Sequence, residues 1–174
     1  TGATRGYVTG PGSSLFNETF SSRIPGLIEI NQVVDTTGLA YVRIKKTKPG
    51  QGLKIGKLLA SIVPLFKVTV VVDEDVDVLD WYEVGLAIGA RYTPATSTEV
   101  FEGRGMPLDP SSGDRGKSSK LVIDATRQWP EEGGPEVYPE LNRTLLEELA
   151  PDAFDRTYSK WGDVISQWGK TRYS

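Results

Sequence analysis

Five carboxylates fall within eight residues, at Asp73, Glu74, Asp75, Asp77 and Asp80, directly after the β-branched run Val68-Thr69-Val70-Val71-Val72. Acids at the carboxyl end of a strand are where α/β folds place ligands and Mg²⁺. The same acids also suit the start of a following helix, whose unpaired N–H groups and dipole favour negative charge, and capping with solvation is preferred here over metal binding. A second candidate is Pro49-Gly50-Gln51-Gly52, ringed by Lys45, Lys46, Lys48, Lys54 and Lys57. A glycine turn opening a helix can offer backbone N–H groups to a phosphate. The spacing is neither a P-loop nor a dinucleotide fingerprint, so a plain turn with solvated lysines is preferred. Arg104, Arg115 and Lys117 could hold an anion or simply be soluble loop residues. Asp124-Ala125-Thr126, with Lys120 a few residues before it, could be a site, but on residue chemistry alone it caps the end of a strand. Cys and His are both absent. Thiol nucleophiles, Ser-His and Cys-His catalysis and zinc sites built from those ligands are therefore excluded, and a metal would need oxygen ligands.

These residues need elements to position them. The unbroken Val68–Val72 run fits a central strand buried on both faces. Asp80 stands three residues before Glu83, a capping-box spacing, so a helix starts near Trp81. Val84, Ala87 and Ile88 line one stripe of it, which packs back on the strand as in a right-handed crossover. Upstream, Leu27–Val34 and Leu39–Ile44 alternate around Asp35-Thr36-Thr37-Gly38, a hairpin. Leu53, Leu58, Leu59, Ile62 and Val63 share a helical face, predicting a helix over Gln51–Val63 that Pro64 ends. Short strands are expected at Thr98–Glu102 and Lys120–Asp124, with an aperiodic loop over Gly103–Ser119 between them. The sum is an α/β (α+β-like) fold: a mixed β-sheet with helices packed against it.

Thr1–Arg23 is rich in Gly, Ser and Thr and reads as a linker or loosely docked arm. A helical pattern runs from about Pro139 to Leu149. A last amphipathic segment follows Pro151, carrying Tyr158, Trp161, Val164, Ile165 and Trp168 on one face, and is expected to dock on a neighbouring subunit. The chain's 174 residues are enough for one core with extensions. Its 20 basic and 23 acidic residues, net charge −3, do not favour nucleic acid. No apolar run approaches the roughly 20 residues of a membrane span, so a cytoplasmic location is expected. The only methionine is Met106; a start at Thr1 fits either loss of an initiator or a cut from a longer protein.

Several of these stretches, taken in order, resemble the C-terminal domain of UbiD-type aromatic acid decarboxylases. They are Val71-Val72-Asp73-Glu74-Asp75-Val76-Asp77-Val78, Asp80-Trp81-x-Glu83-Val84-x-x-Ala87-x-x-x-Arg91-x-x-Pro94, Pro107-Leu108-Asp109-Pro110 and Ser119-Lys120-Leu121-Val122-Ile123-Asp124-Ala125-Thr126-x-x-Trp129-Pro130. The resemblance spans roughly Pro25–Pro130, and the organisation it implies is an arm over 1–24, the UbiD-like domain over 25–130 and a helical oligomerisation arm over 131–174. Asp73, Asp75, Asp80, Arg91, Lys120 and Asp124 are structural positions of the matched motifs.

The family implied is a reversible carboxy-lyase using prenylated FMN, with a divalent metal (Mn or Mg) and potassium at the cofactor phosphate. Its catalytic Arg and Glu residues lie before this domain, so no catalytic residue is expected in this chain, and the isolated chain is expected to be inactive. The resemblance assigns Met106 and Leu108, around Pro107, to the wall of a pocket for an aromatic acid. A homo-oligomer is expected. The family lysine that reaches the cofactor phosphate has no assigned counterpart, Ser61–Val63 standing where it would be sought. A different class stays open: a stand-alone, non-catalytic interaction module of the same fold. A reading frame of roughly 450 to 500 residues ending in this sequence would favour the enzyme, because a flavin needs a second domain of ordinary size.

Overall fold

The computed structural model describes residues 11–33, 38–106, 109, 111, 116–138 and 149–171. Most of the expected helix at Pro139–Leu149, the hairpin turn at Val34–Thr37, and Pro107, Leu108 and Arg115 lie outside them. The chain forms two compact units, Arg5–Pro135 and, in its larger part, Glu136–Ser174.

The first unit is a five-stranded mixed sheet in the order β1-β2-β3-β5-β4. The strands are β1 (Leu27–Gln32), β2 (Leu39–Ile44), β3 (Val68–Asp73), β4 (Thr98–Arg104) and β5 (Lys117–Asp124). β1 and β2 form the expected antiparallel hairpin, β2, β3 and β5 run parallel, and β4 returns antiparallel to β5. β3 is the middle strand, and Thr69 to Asp73 are all buried. At roughly 1.5–3 kcal/mol for each fully buried aliphatic side chain, a run of valines is stable only where both faces are covered. α2 (Gln51–Ile62) packs Ile55, Leu59 and Ala60 on one face with Val42, Ile44, Val71 and Val122, and Phe66 completes this core. α3 (Trp81–Arg91) packs Val84, Ala87 and Ile88 on the other, over Val70 and Val72.

The structure corrects several expectations. α3 packs on β3 as expected, but it does not join two parallel strands. Arg91 in its last turn reaches back to Asp73 at the end of β3, and β4 follows antiparallel to its neighbour. The parallel connection is β2-α2-β3. Asp80 caps α3 by accepting from the Tyr82 N–H at 3.0 Å, and Glu83 accepts from the Asp77 N–H at 2.8 Å. β4 and β5 extend further than their apolar residues suggest, pairing as far as Arg104 with Lys117. Gly and Ser do not advertise a strand, yet Gly105 is required where they meet, since a Cβ there would lie 2.7 Å from that of Ser118.

Thr1–Arg23 is not loose throughout, because it contains helix α1 (Pro11–Phe20). Phe16 packs edge-on to Phe66, centroids 5.1 Å apart. Asn17 acts as one residue of an extra strand: its amide donates to Ile30 O at 3.1 Å and its Oδ1 accepts from Ile30 N at 2.6 Å. Ser13 Oγ accepts from Gln32 N. Together they satisfy the outer edge of β1 and close it to further pairing.

The second unit holds α4 (Ala153–Thr171). Asp152 pairs with Arg156 one turn on, at 3.2 Å. Tyr158, Trp161 and Val164 are exposed. The side chains of Ile165 and Trp168 lie outside the described residues.

Candidate functional site

Candidate chemistry gathers at the two ends of the parallel strands. At their carboxyl ends, β3 delivers Asp73 and Asp75, β2 delivers Lys46, and β5 delivers Asp124, Thr126 and Arg127. The acids do not converge on a point where a metal would sit. Among the described residues no group of three or more Asp or Glu side chains has that geometry.

Arg91 instead lies between Asp73 and Asp75. Its Nη1 donates to Asp73 Oδ2 and Asp75 Oδ1, each at 2.9 Å, and its Nη2 to Asp75 Oδ2 at 2.8 Å. Arg127 adds its backbone N–H to Asp73 at 2.7 Å and its Nη2 to Asp75 at 2.8 Å. Burial pushes the Asp73 carboxyl above its ordinary value against the Arg127 N–H and the Arg91 charge. Burial acts on Asp75 too, but the Arg91 hydrogen bonds and the two arginine charges outweigh it and hold it low. Asp73 and Asp75 thus belong to one forked ion-pair network, Asp73 buried and Asp75 exposed, while Asp80 caps α3.

The glycine turn before α2 already holds an anion, and the anion is Glu132. Its Oε1 accepts from Gly50 N at 2.6 Å, and its Oε2 accepts from Lys46 Nζ at 2.5 Å and Trp129 N at 2.7 Å. Lys46, expected among several solvated lysines, has a side chain only 3% exposed. It also donates to Thr126 Oγ1 and Arg127 O. Burial raises Glu132, yet Lys46 and the two backbone N–H groups outweigh it and hold it below its usual value. Asp124 terminates β5 as expected, its Oδ1 accepting from the Thr126 N–H and hydroxyl at 3.0 and 2.6 Å. Burial raises its carboxyl above the ordinary value. Its other oxygen lies so close to α2 that a Cβ on Gly52 would collide with it. A flavin phosphate therefore does not fit this end, because the helix N-terminus and its buried cation are already occupied by the chain's own carboxylate.

At the amino ends stand Lys67, Lys120 and the β4–β5 connection. Lys120 is fully buried, and its ammonium donates to Pro64 O at 2.7 Å and Phe66 O at 2.9 Å, tying β5 to the turn that follows α2. Burial pulls its pKa down. Asp109 accepts from Lys67 Nζ on both oxygens, at 2.9 and 3.0 Å, from Ser118 Oγ at 2.8 Å, and from Ser111 N and Oγ at 3.0 and 2.8 Å. Lys67 and these hydroxyls hold its carboxyl far below the ordinary carboxylate range. Met106 is half-buried, and its carbonyl accepts from Asp109 N at 3.1 Å.

Of the site residues expected from the sequence, the fold brings Asp73, Asp75 and Arg91 together at one end and places Lys120 and Met106 at the other. Sequence patterning does not single out Lys46, Glu132, Arg127, Lys67 or Ser118. For Glu132 the one local signal is Trp129-Pro130-Glu131-Glu132, a Pro-led turn (Pro130–Glu132) with an acid placed to cap it.

The chain matches the model of the 3-octaprenyl-4-hydroxybenzoate carboxy-lyase C-terminal domain of the UbiD family over residues 7–125. It is 35% identical over 122 residues to an uncharacterized protein of Archaeoglobus fulgidus, covering 67% of this chain and 25% of that protein, so it spans about a quarter of that relative's length. Among solved structures it is similar to the vanillic acid decarboxylase of Sedimentibacter hydroxybenzoicus, in open form with truncated ShVdcD. The identity is 26% and the TM-score 0.67, covering 80% of this chain and 32% of that one. A UbiD-class enzyme of Pelotomaculum thermopropionicum, solved in complex with FMN, shares the fold at 24% identity and TM-score 0.59, over 75% of this chain and 31% of that one.

Proposed function

The chain belongs to the family of 3-octaprenyl-4-hydroxybenzoate carboxy-lyase C-terminal domains, and from that membership we propose that it is the pocket-wall and assembly domain of a carboxy-lyase acting on aromatic or α,β-unsaturated acids. Prenylated FMN, with its divalent metal and potassium, is held by a separate flavin domain, on the same polypeptide or on another chain. The 174 residues alone are inactive. The observation that carries this is the family match across the whole sheet, since it takes in the β4–β5 connection on which Met106 and Leu108 stand. The sheet unit's own geometry agrees: its carboxyl end is closed by internal ion pairs, which leaves the β4–β5 end to face a substrate. The pocket is apolar at Met106 and Leu108, suited to the ring of an aromatic acid.

Assembly falls to α4. Tyr158, Trp161 and Val164 recur three residues apart and are 60%, 51% and 55% exposed, and an aromatic stripe of that kind is what subunit contacts cover. Light scattering on the chain cut after Pro139 should show a lower oligomer mass than the intact chain at equal concentration; an unchanged mass would remove this role.

The activity is tested by assaying CO₂ release from a panel of aromatic acids, using the 174-residue chain and the full product of the gene that encodes it, each mixed with reduced prenylated FMN. Turnover by the full product and none by the chain is expected. Turnover by the chain, or by neither, would contradict the assignment.

A further inference from the structure

The β4–β5 connection is irregular in sequence, yet two of its described residues are held to the sheet. Asp109 receives five hydrogen bonds, and its side chain is 7% exposed. Two of its partners are strand residues or their immediate neighbours. Lys67 directly precedes β3; its N–H donates to Gly38 O and its carbonyl accepts from Leu121 N, each at 2.8 Å. Ser118 lies buried within β5. An isolated surface ion pair contributes little, but a carboxylate shared by one ammonium and two hydroxyls costs less ordering per contact, because each partner already restrains the others. The same residue reaches forward through its backbone, donating its N–H to Met106 O. The rigid sheet therefore fixes the Asp109 carboxylate, and Asp109 fixes Met106. Gly105 N donates to Gly116 O at 3.0 Å and closes the base of the connection.

We propose that Asp109, clamped by Lys67 and Ser118, is the positioning residue that sets Met106 in the substrate pocket, so that this trio, which touches no substrate itself, tunes which aromatic acid is accepted. The pocket role rests on the function proposed above; the clamp does not. A side chain selects among substrates only while its place is fixed, and a displacement of about 1 Å is enough to lower turnover markedly. Lys67 is the most informative member because a cation at that point can be removed or replaced without altering the loop's own sequence.

The test has two arms. In the first, amide hydrogen exchange is measured on the 174-residue chain and on Lys67→Met, Lys67→Arg and Ser118→Ala. Protection of the Asp109 and Gly105 amides should fall at least about tenfold in Lys67→Met and partly in Ser118→Ala, stay close to the parent in Lys67→Arg, and leave the Val70–Val72 amides unchanged. Unchanged protection at Asp109 in both Lys67→Met and Ser118→Ala would overturn the clamp. In the second arm, the full-length product is assayed with two acids that differ in ring substitution. Lys67→Met should change the ratio of their kcat/KM values by about tenfold, chiefly through KM, and Lys67→Arg should restore it. An unaltered ratio beside lost protection would overturn the specificity role. A parent without turnover would refute the proposed function and the pocket role with it, and the exchange result would still decide the clamp.

Discussion

The two ends of the parallel strands differ in what their charges face. At the carboxyl end, Arg91, Lys46, Asp73, Asp124 and Glu132 are buried or nearly so, and they answer one another. At the amino end, Lys67 pairs with Asp109, whose N–H donates to the carbonyl of the half-buried Met106. The usual rule for open α/β sheets puts the ligand at the carboxyl end. Here that end is filled by the chain's own ion pairs, and the proposed pocket wall stands at the other. Acid clusters at strand ends thus need their cations counted before they are read as sites.

Substitutions can sharpen or break this contrast. The largest effect is expected from Arg91→Ala, which leaves the buried Asp73 with only the backbone N–H and the more distant charge of Arg127. Breaking a pair this buried costs about 3 kcal/mol or more, read as a lower urea midpoint with an unchanged slope. A loss below about 1 kcal/mol would mean that water already screens the network. Next comes Lys46→Met, which fills the same space but leaves Glu132 with only its backbone donors, at a cost of about 2 kcal/mol.

Asp109→Asn should act less on stability than either, and its effect should depend on pH. The folded pKa of Asp109 lies below its ordinary value, so its contribution is complete above about pH 3.9, the unfolded value, and is lost as pH falls from there through the folded value. The difference in melting temperature between the parent and Asp109→Asn should therefore be constant near neutrality and shrink below about pH 4. The smallest effect is expected from Asp124→Asn, because an amide oxygen can accept the same two Thr126 bonds. Its sign is opposite. Burial raises Asp124, so ionising it in the fold is a cost that grows as pH rises from about 3.9 through the raised value. The variant should gain on the parent over that rise, and a gain on acidification instead would show that Lys46 outweighs burial.

The elements are legible where one residue type repeats. The valines of β3 place a buried strand without knowledge of its neighbours. The spacing of Leu53, Leu58, Leu59, Ile62 and Val63 places a helix, although the face α2 buries carries Ile55, Leu59 and Ala60 while Leu58 and Ile62 are exposed. α1 is not legible, because Asn17 and Ser13 in a Gly- and Ser-rich stretch read as turn residues until β1 offers an edge for them to pair. The ion pairs are hidden by distance along the chain: Glu132 meets Lys46 across 86 residues and Asp109 meets Lys67 across 42. A lysine run such as Lys45-Lys46-Thr47-Lys48 looks uniformly solvated, and nothing local shows that the second member turns inward. Met106 and Leu108 are reachable only through the family resemblance, since an apolar pair around a proline in a loop has no signature of its own.

The most direct test of the contrast compares Met106→Ala with Lys46→Met in the full-length product, measuring melting temperature and kcat/KM over a panel of aromatic acids. Met106→Ala should reorder the panel, by about tenfold between the best and worst affected acids, with the melting temperature nearly unmoved. Lys46→Met should lower the melting temperature by several degrees and leave the order of the panel as it was. Reordering by Lys46→Met, with Met106→Ala felt only in stability, would place the pocket at the carboxyl end and contradict the account.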